Sequence, residues 1–573
     1  MPTDNVVAES EQYATAKYTS RNERLFRNWA NLEKHYDPWK ALYKEISDYI
    51  APGRGRFIDQ EGTPNQKTKA AQKIINPAAP DAVHMLGAGL HGGLSSPARP
   101  WFQLTFEDPE LNKYRAAKTW LDDCEQILYG MFKRSNFYSL IHNVYEEVGA
   151  FATGCLFLDS GTPANLLNFR YLTAGDYRFA VNEQGLCHSF YRKIRMQIHQ
   201  MAASFGADNL SETSRRLLSS NPYEWRDVLH VIEPNNQYSE EGQEVNSQRM
   251  PFSSVYCEWK EGNQRLSESG YMEMPVVTPR WQVQGNEAYG WGPGPETLGL
   301  AKALQRMELN AMLAEDKYLD PPMGIAANFK DRMVDLSPGA KTSVKDTDDI
   351  RKAIGPLIQI DPQAINLYEG KISSVENRIK RMFYYELFLM IANEDRRMTA
   401  TEVAARNEEK MIMIGPVINS QNYEMLDPII DRAFNLAARA GKLPPPPQEI
   451  AEAEYKVEYV SILAQAQKLI NAQGMGAYLQ MATAVAAISP ESVDKTNWDE
   501  FTAVYGDMVN LPSKIVREDD EVAEMREARA AEAQRQQQIV EAQANADTMN
   551  KLGSASVEEG TALEEISNSL GAV

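Results

Sequence analysis

The chain has 573 residues, 43% of them hydrophobic and 24% charged, which provides for several packed regions with true cores and excludes a wholly disordered or collagen-like chain. Its formal net charge of −20 excludes a protein that grips nucleic acid over its whole surface, because holding phosphates needs dense Lys and Arg; it leaves room for one that lets nucleic acid pass. Cys124, Cys155, Cys187 and Cys257 form no CxxC pair, so neither a zinc knuckle nor a disulfide framework is indicated, and a reducing compartment fits.

The first residues, MPTDNVVAESEQYATAKY, have no apolar signal-like core, and no run of eighteen apolar residues occurs. Neither secretion nor a membrane span is expected, and the protein is expected in the cytoplasm when made. Residues 1–20 are expected to be flexible. From Arg21 to about Ile50 the pattern predicts helix, divided in two by Asp37-Pro38 and stopped by Ala51-Pro52-Gly53. Residues 71–94 predict a helix running into a Gly-rich bend, SSPARPWFQLTF an entry into a strand, and 111–152 a return to helix.

Between Gly154 and Pro279 the period changes. CLFLDS, DYRFAV, CHSFYRK, DVLHVIEP, SSVYCEWK and YMEMPVVTPRW are short β-rich runs bounded by turn residues, and NEQG at 182–185 predicts a hairpin turn. MQIHQMAASFG and SETSRRLLSS, lying between two of these runs, read as helical. The fold class is therefore α+β and predominantly helical.

YGWGPGPE then opens a helix over residues 295–317. Pro295 suits the first helical position, Glu296 the positive end of the dipole, and Pro321-Pro322 forbids continuation. Leu300, Leu304, Met307, Ala311, Ala314 and Tyr318 fall at alternating four- and three-residue steps, an apolar stripe on a helix of about 35 Å. Residues 318–370 switch to short mixed runs such as MGIAANF, PLIQID and INLYEG. A second helix of matching length follows at 371–395, with Val375, Ile379, Met382, Phe383, Leu387 and Met390 on one face. Two antiparallel helices carrying a small insert at their shared end is the simplest packing. A long helix is predicted from about Ala400 to Gly441, bent at Gly415-Pro416, then a stiff LPPPP connector at 443–447, helical Ala-rich sequence over 458–510, and a polar helix fading into a flexible tail at 541–573.

Motifs for chemistry are weak. GAGLHG at 87–92 spells GxGxxG but follows a helical pattern, so it predicts close packing rather than a dinucleotide site. GAKTS at 339–343 lacks the phosphate-loop spacing, and DTDD at 347–350 lacks the Gly and closing Glu of a calcium loop. The seven histidines form no HExxH, and no GxSxG occurs. No enzyme activity, cofactor or metal is expected. On the second long helix, Lys371, Ser374, Arg378, Arg381 and Tyr385 share a face away from the apolar stripe, with Arg396 and Arg397 beyond it. This is either a solvated face or a cationic track for a polyanion.

The ordered set YIAPGRGRF (49–57), GLSSPARPWFQL (93–104), YGWGPG with its helix and DPP (289–322), RRMTATEV with its long helix and GPV (396–417), GKLPPPP (441–447) and VEYVSILAQAQK (457–468) resembles the portal, or head-to-tail connector, proteins of short-tailed bacteriophages. The resemblance covers roughly residues 20–515. It implies a ring homo-oligomer, a dodecamer, at one capsid vertex in the virion, through which double-stranded DNA enters and leaves. It implies an α+β wing at 21–294, a stem helix at 295–317, a clip at 318–370, a second stem helix at 371–395, a tunnel loop at 396–401 (Arg396, Arg397, Met398, Thr399), a long wing helix and connector at 402–447, and a helical crown at 448–540. The implied partners are the terminase, tail adaptor proteins, and the major capsid and scaffolding proteins, with no membrane. On that footing Lys371, Arg378, Arg381, Arg396 and Arg397 are the candidate DNA-channel residues. The alternative is another capsid-assembly protein, a scaffold or tail adaptor, without a channel.

Overall fold

The computed structural model describes residues 21–56, 74–108, 111, 114–235, 250–259, 264–325, 354–357, 361–392, 414–447, 455–459, 474–485, 496–508 and 519–553. Two units emerge: Met1–Glu107, Asp123–Pro446 and Ala453–Gln467 form the first, and Asp108–Asp122, Pro447–Glu452 and Lys468–Val573 the second.

α1 (Arg21–Tyr49) is one helix with Pro38 inside it, where the sequence predicts two. Proline removes a backbone donor and crowds the carbonyl four residues back. Lys34, Asp37 and Pro38 all face solvent, so the freed carbonyl can be hydrated. The buried side, with Leu25, Trp29, Tyr36, Tyr43 and Ile46, keeps its packing. α2 (Ala78–Leu94) likewise runs straight through the predicted bend. Gly87 and Gly89 serve helix contact rather than turning: a Cβ on Gly87 would overlap the Glu146 side chain, and one on Gly89 the Phe388 ring.

After strand β1 (Phe102–Phe106), the helical stretch predicted over 111–152 is two helices, α3 (Arg115–Arg134) and α4 (Phe137–Phe151). Asn136 sits between them because its amide bonds the backbone of Phe169 as a neighbouring strand would, accepting from its N–H at 2.9 Å and donating to its C=O at 2.8 Å. α4 ends at Ala152 in the left-handed region, φ +59°.

The β-rich region holds β2 (Leu156–Thr162), β3 (Asn165–Tyr171), β4 (Tyr177–Val181), β5 (Cys187–Gln197), β6 (Trp225–Pro234), β7 (Phe252–Glu258), β8 (Arg265–Tyr271) and β9 (Val276–Val277). It forms an antiparallel sheet in the order β4-β5-β6-β7-β8 and a second one, β3-β2-β9. NEQG makes the predicted β4–β5 hairpin: the Asn182 side chain accepts from the N–H groups of Gln184 and Leu186 at 3.0 and 2.9 Å, and Gly185 takes φ +82°. Side-chain alternation gives the large sheet two covered faces. Leu25 and Trp29 of α1 pack with Tyr191, Leu229, Val231, Val255 and Cys257 on one. α5 (Ile198–Phe205) and α6 (Glu212–Ser220) pack with Val228 and Leu266 on the other.

Next come α7 (Pro293–Leu319), β10 (Met323–Ile325), β11 (Ile354–Pro356), α8 (Pro362–Met382) and α9 (Tyr385–Ala392). The INLYEG run, predicted as part of the mixed segment, is the first turns of α8. α10 comprises helical residues 414–421, a π turn at Asn422–Leu426 and an α segment at Asp427–Arg439. Among the described residues its departure from α geometry falls at that π turn; the predicted bend at Gly415-Pro416 sits at the edge of the described residues, with 393–413 outside them. The helix ends with Gly441 at φ +63°, the left-handed stop that glycine permits. Tyr455–Tyr459, predicted as the threshold of a helical region, is instead β12, paired antiparallel with β1 from Phe102↔Tyr459 to Phe106↔Tyr455. YKVEY alternates with a period of two, the strand signature.

In the second unit α11 (474–485) and α12 (Trp498–Met508) meet through Tyr478 and Phe501, and α13 (Asp519–Gly553) is joined to α12 by Arg526 on Asp499 at 2.7 Å. The residues of α13 from Glu521 to Thr548 are exposed apart from a half-buried Val522. Among the described residues no helix is long and apolar enough to cross a membrane. GAKTS, DTDD, residues 1–20 and the tail beyond Gly553 lie outside the described residues.

His230 illustrates how the sheet handles a titratable group. It is fully buried, stacked on Tyr256 with ring centroids 3.9 Å apart; its Nδ1 accepts from Arg192 at 2.9 Å and its Nε2 lies 3.0 Å from the Ser254 hydroxyl. Burial, then the charges of Arg192 and Arg170, hold its pKa well below the usual value. The unfolded chain takes up this proton below about pH 6.5 while the folded chain does not, so stability is full above that pH and falls as the solution is acidified. The expected slope from His230 is about 1.4 kcal/mol per pH unit. Urea titrations at pH 7 and pH 5 should show that His230→Asn loses less stability on acidification than the parent chain.

Candidate functional site

α7 and α8 pack against each other, and the antiparallel β10–β11 ladder, Met323↔Pro356 to Ile325↔Ile354, joins the end of α7 to the start of α8. The two helices are therefore antiparallel. The 295–317 prediction corresponds to Pro293–Leu319. The 371–395 helix departs further: α8 begins at Pro362, capped by the Asp361 carboxylate accepting from the Gln363 N–H at 2.9 Å, and ends at Met382.

The start of α7 is set by backbone contact. A Cβ on Gly290 would overlap the Ala152 carbonyl, one on Gly294 the Ala150 carbonyl, and one on Gly292 would lie 2.7 Å from the Trp281 ring. Only glycine allows this approach, and Thr297 completes the buried first turn by donating to the Pro293 carbonyl at 2.6 Å. The Gly290 N–H donates to Thr153 Oγ1 at 2.9 Å, and the Trp291 N–H to the Gln282 carbonyl at 2.8 Å. Beneath it lies Arg280, 2% exposed. Its guanidinium and backbone N–H bind both oxygens of Glu424 at 2.7 to 3.1 Å, and it also donates to the carbonyls of Gly185 and Glu287. Its own carbonyl accepts from Ser420 and Gln421. The π turn of α10 thus delivers Glu424 to the root of α7.

Halfway along, Asn76 ties the pair together. The Gln305 side chain of α7 accepts from the N–H groups of Ile75 and Asn76 at 2.7 and 2.9 Å and donates to the Asn76 carbonyl at 2.8 Å. The Asn76 amide donates to Glu308 of α7 at 3.2 Å and to Glu376 of α8 at 2.6 Å. The predicted stripe on α7 is buried at Leu304 and Ala311 and opens at Tyr318, while that predicted over 371–395 is buried at Ile379, Phe383 and Leu387 and half-buried at Val375, with Met382 exposed; Ile372 of α8, outside the predicted stripe, is buried as well. α7 carries a second stripe that the sequence reading missed: Leu298, Ala301 and Gln305 are buried, and the same face continues through Leu309, Met312 and Leu319, flanked by Leu313, all exposed.

Lys371, Arg378 and Arg381 lie exposed along one face of α8 with Ser374, away from Ile372 and Ile379, and none of the three cations makes an ion pair with a described residue. Tyr385 lies past the end of α8, under the Lys380 ammonium at 5.4 Å. Arg396, Arg397, Met398 and Thr399 lie outside the described residues.

A third feature, also missed, gives a role to Arg54 of the GRGRF motif. Glu146 and Glu147 are buried on α4. Arg54 pairs with Glu146, which His84 and His142 also approach, and Arg54 donates to the Asn143 carbonyl at 3.3 Å. Glu147 accepts from Tyr171, from Thr173 at 2.7 Å and from the Ala174 N–H at 3.1 Å. Burial raises the Glu147 pKa, and these donors and Arg54 work against it. Two adjacent acids in the otherwise apolar VYEEVGAF were the available signal.

Removing the Asn76 side chain strands Glu376 and Glu308, both half-buried. Asn76→Ala is expected to cost about 1–3 kcal/mol, read as a lowered urea midpoint, whereas Glu376→Gln, which keeps an acceptor, should cost less.

Residues 22–516 match the family described as bacteriophage head to tail connecting protein. The chain is 35% identical over 554 residues to a probable portal protein of Bordetella phage BPP-1, covering 96% of this chain and 98% of that one. It is 30% identical over 557 residues to the portal protein of Salmonella phage epsilon15, covering 96% and 99%. The chain, with its glycine-rooted helix pair, belongs to the bacteriophage head to tail connecting protein family.

Proposed function

We propose that this connector protein forms the portal ring at a unique capsid vertex and acts as a structural conduit, without catalysis, for double-stranded DNA during packaging and ejection. The observation that carries the ring is the second stripe of α7. Leu309, Met312, Leu313 and Leu319 are 45%, 49%, 47% and 80% exposed in the single chain, and Leu367 of α8 is 71% exposed. Neighbouring leucines at helical spacing on paired helices want cover, and further copies of the same pair supply it in a closed, cyclic arrangement. Full-length colinearity with two portal proteins supports the same reading.

On this reading residues 21–292 are the wing, α7 and α8 the stem, the segment between them the clip, 396–401 the tunnel loop, 402–447 the long wing helix with its connector, and 448–540 the crown. The ring has twelve subunits, the clip meets the terminase and then tail adaptor proteins, and the wing meets capsid and scaffolding proteins. Assembly takes place in the host cytoplasm. Lys371, Arg378 and Arg381, with Arg396 and Arg397, line the DNA path. In an acidic protein such cations become isolated rings of positive charge, which lower the barrier to phosphates without holding them in place.

The charge-reversed variant Arg378→Glu/Arg381→Glu is expected to assemble normally and to change the length or retention of packaged DNA, measured on purified particles by gel electrophoresis. Unaltered DNA length and retention would contradict the placement of this face on the path.

A further inference from the structure

The segment RIKRMFYYELFLMIA (378–392) contains no proline or glycine and predicts one continuous helix, yet the structure breaks it. α8 stops at Met382, Tyr384 takes the left-handed conformation at φ +55°, and α9 starts at Tyr385. A left-handed tyrosine is unfavourable for any L-residue with a Cβ. The backbone bonds across the break are Phe383 N–H to Ile379 C=O at 3.3 Å, Tyr384 N–H to Arg381 C=O at 3.1 Å and Phe388 N–H to Tyr384 C=O at 3.3 Å. The amides of Tyr385, Glu386 and Leu387 thus have no carbonyl partner among the described residues. In a continuous helix they would bond the carbonyls of Arg381, Met382 and Phe383.

Two contacts from other elements hold the break. The Trp281 ring lies 5.9 Å from that of Tyr384, tilted by 36°. Phe388 of α9 sits in the notch on α2 that Gly89 leaves, a notch a Cβ would fill. Trp281 is itself fixed at the root of α7, its ring against Gly292 and its backbone N–H donating to the Ala152 carbonyl at 3.0 Å. Local sequence therefore favours one state and tertiary contact the other, the condition for a bistable element.

We infer that the α8–α9 break is a two-position joint: docked, with Tyr384 left-handed against Trp281 and Phe388 in the Gly89 notch, or extended, with α8 and α9 fused into one helix and α9 lifted from α2. The joint lies directly beyond Arg378 and Arg381, so its position re-aims α9 relative to that cationic face.

Amide hydrogen exchange on the assembled full-length protein tests this. Tyr384→Ala removes the Trp281 contact and favours right-handed helix, and Gly89→Ala expels Phe388 from a different element. Both should slow exchange at Tyr385–Leu387 by about tenfold or more, the population ratio that a left-handed non-glycine residue corresponds to. Tyr384→Gly, which accepts φ above zero freely, should leave those amides exchanging as fast as in the parent. Exchange at Tyr385–Leu387 that is unchanged or faster in Tyr384→Ala would overturn the inference. That variant leaves α2 untouched, so the test holds even if Gly89→Ala disturbs the fold.

Discussion

The structure depends on one backbone contact, the approach of the first turn of α7 to the last turn of α4. Gly294 rests over the Ala150 carbonyl and Gly290 over that of Ala152, so no side chain separates the two backbone segments. From that contact α7 inherits a direction. Arg280 and Glu424 close it from beneath with a buried, multiply bonded ion pair. Such a pair adds little net stability over apolar packing, but removing one partner leaves an uncompensated buried charge, so it fixes geometry firmly. Further along, Asn76 transfers that direction to α8.

A helix pair rooted in this way can be long without being self-sufficient. Near the root α7 is buried on two faces; beyond Gln305 its second face, from Leu309 onward, is exposed. In a lone subunit this is an exposed apolar liability; in the proposed ring it would be the interface. The acidic balance of the whole chain and the cations concentrated on one face of α8 fit the same picture, since a polyanion must be guided without being retained.

Much of this was legible in the sequence. The abrupt ends of α7 were written in YGWGPGPE and DPP, the hairpin at Asn182–Gly185 in its turn residues, and the β-rich region in the switch of period after Gly154. What the sequence hid was tertiary. Pro38 does not divide α1 because its side faces water; GAGLHG does not bend α2 because its glycines receive Glu146 and Phe388. Helix propensity over 371–395 reads as one element because Trp281 and Gly89, which break it, are distant in sequence. Tyr455–Tyr459 is a strand because β1 waits for it more than three hundred residues earlier. At the site, Lys371, Arg378 and Arg381 were found as a face by spacing alone. Asn76, Arg280 and Glu424 carry no periodic signal and were invisible until their partners were in place.

The central claim is that the uncovered face of α7 assembles the subunits. Native mass measurement of the purified protein, beside Leu309→Ser/Met312→Ser/Leu313→Ser, tests it most directly. The account predicts a closed ring of uniform subunit number for the parent and folded, dissociated subunits for the variant. A variant that forms the same ring as the parent would contradict it.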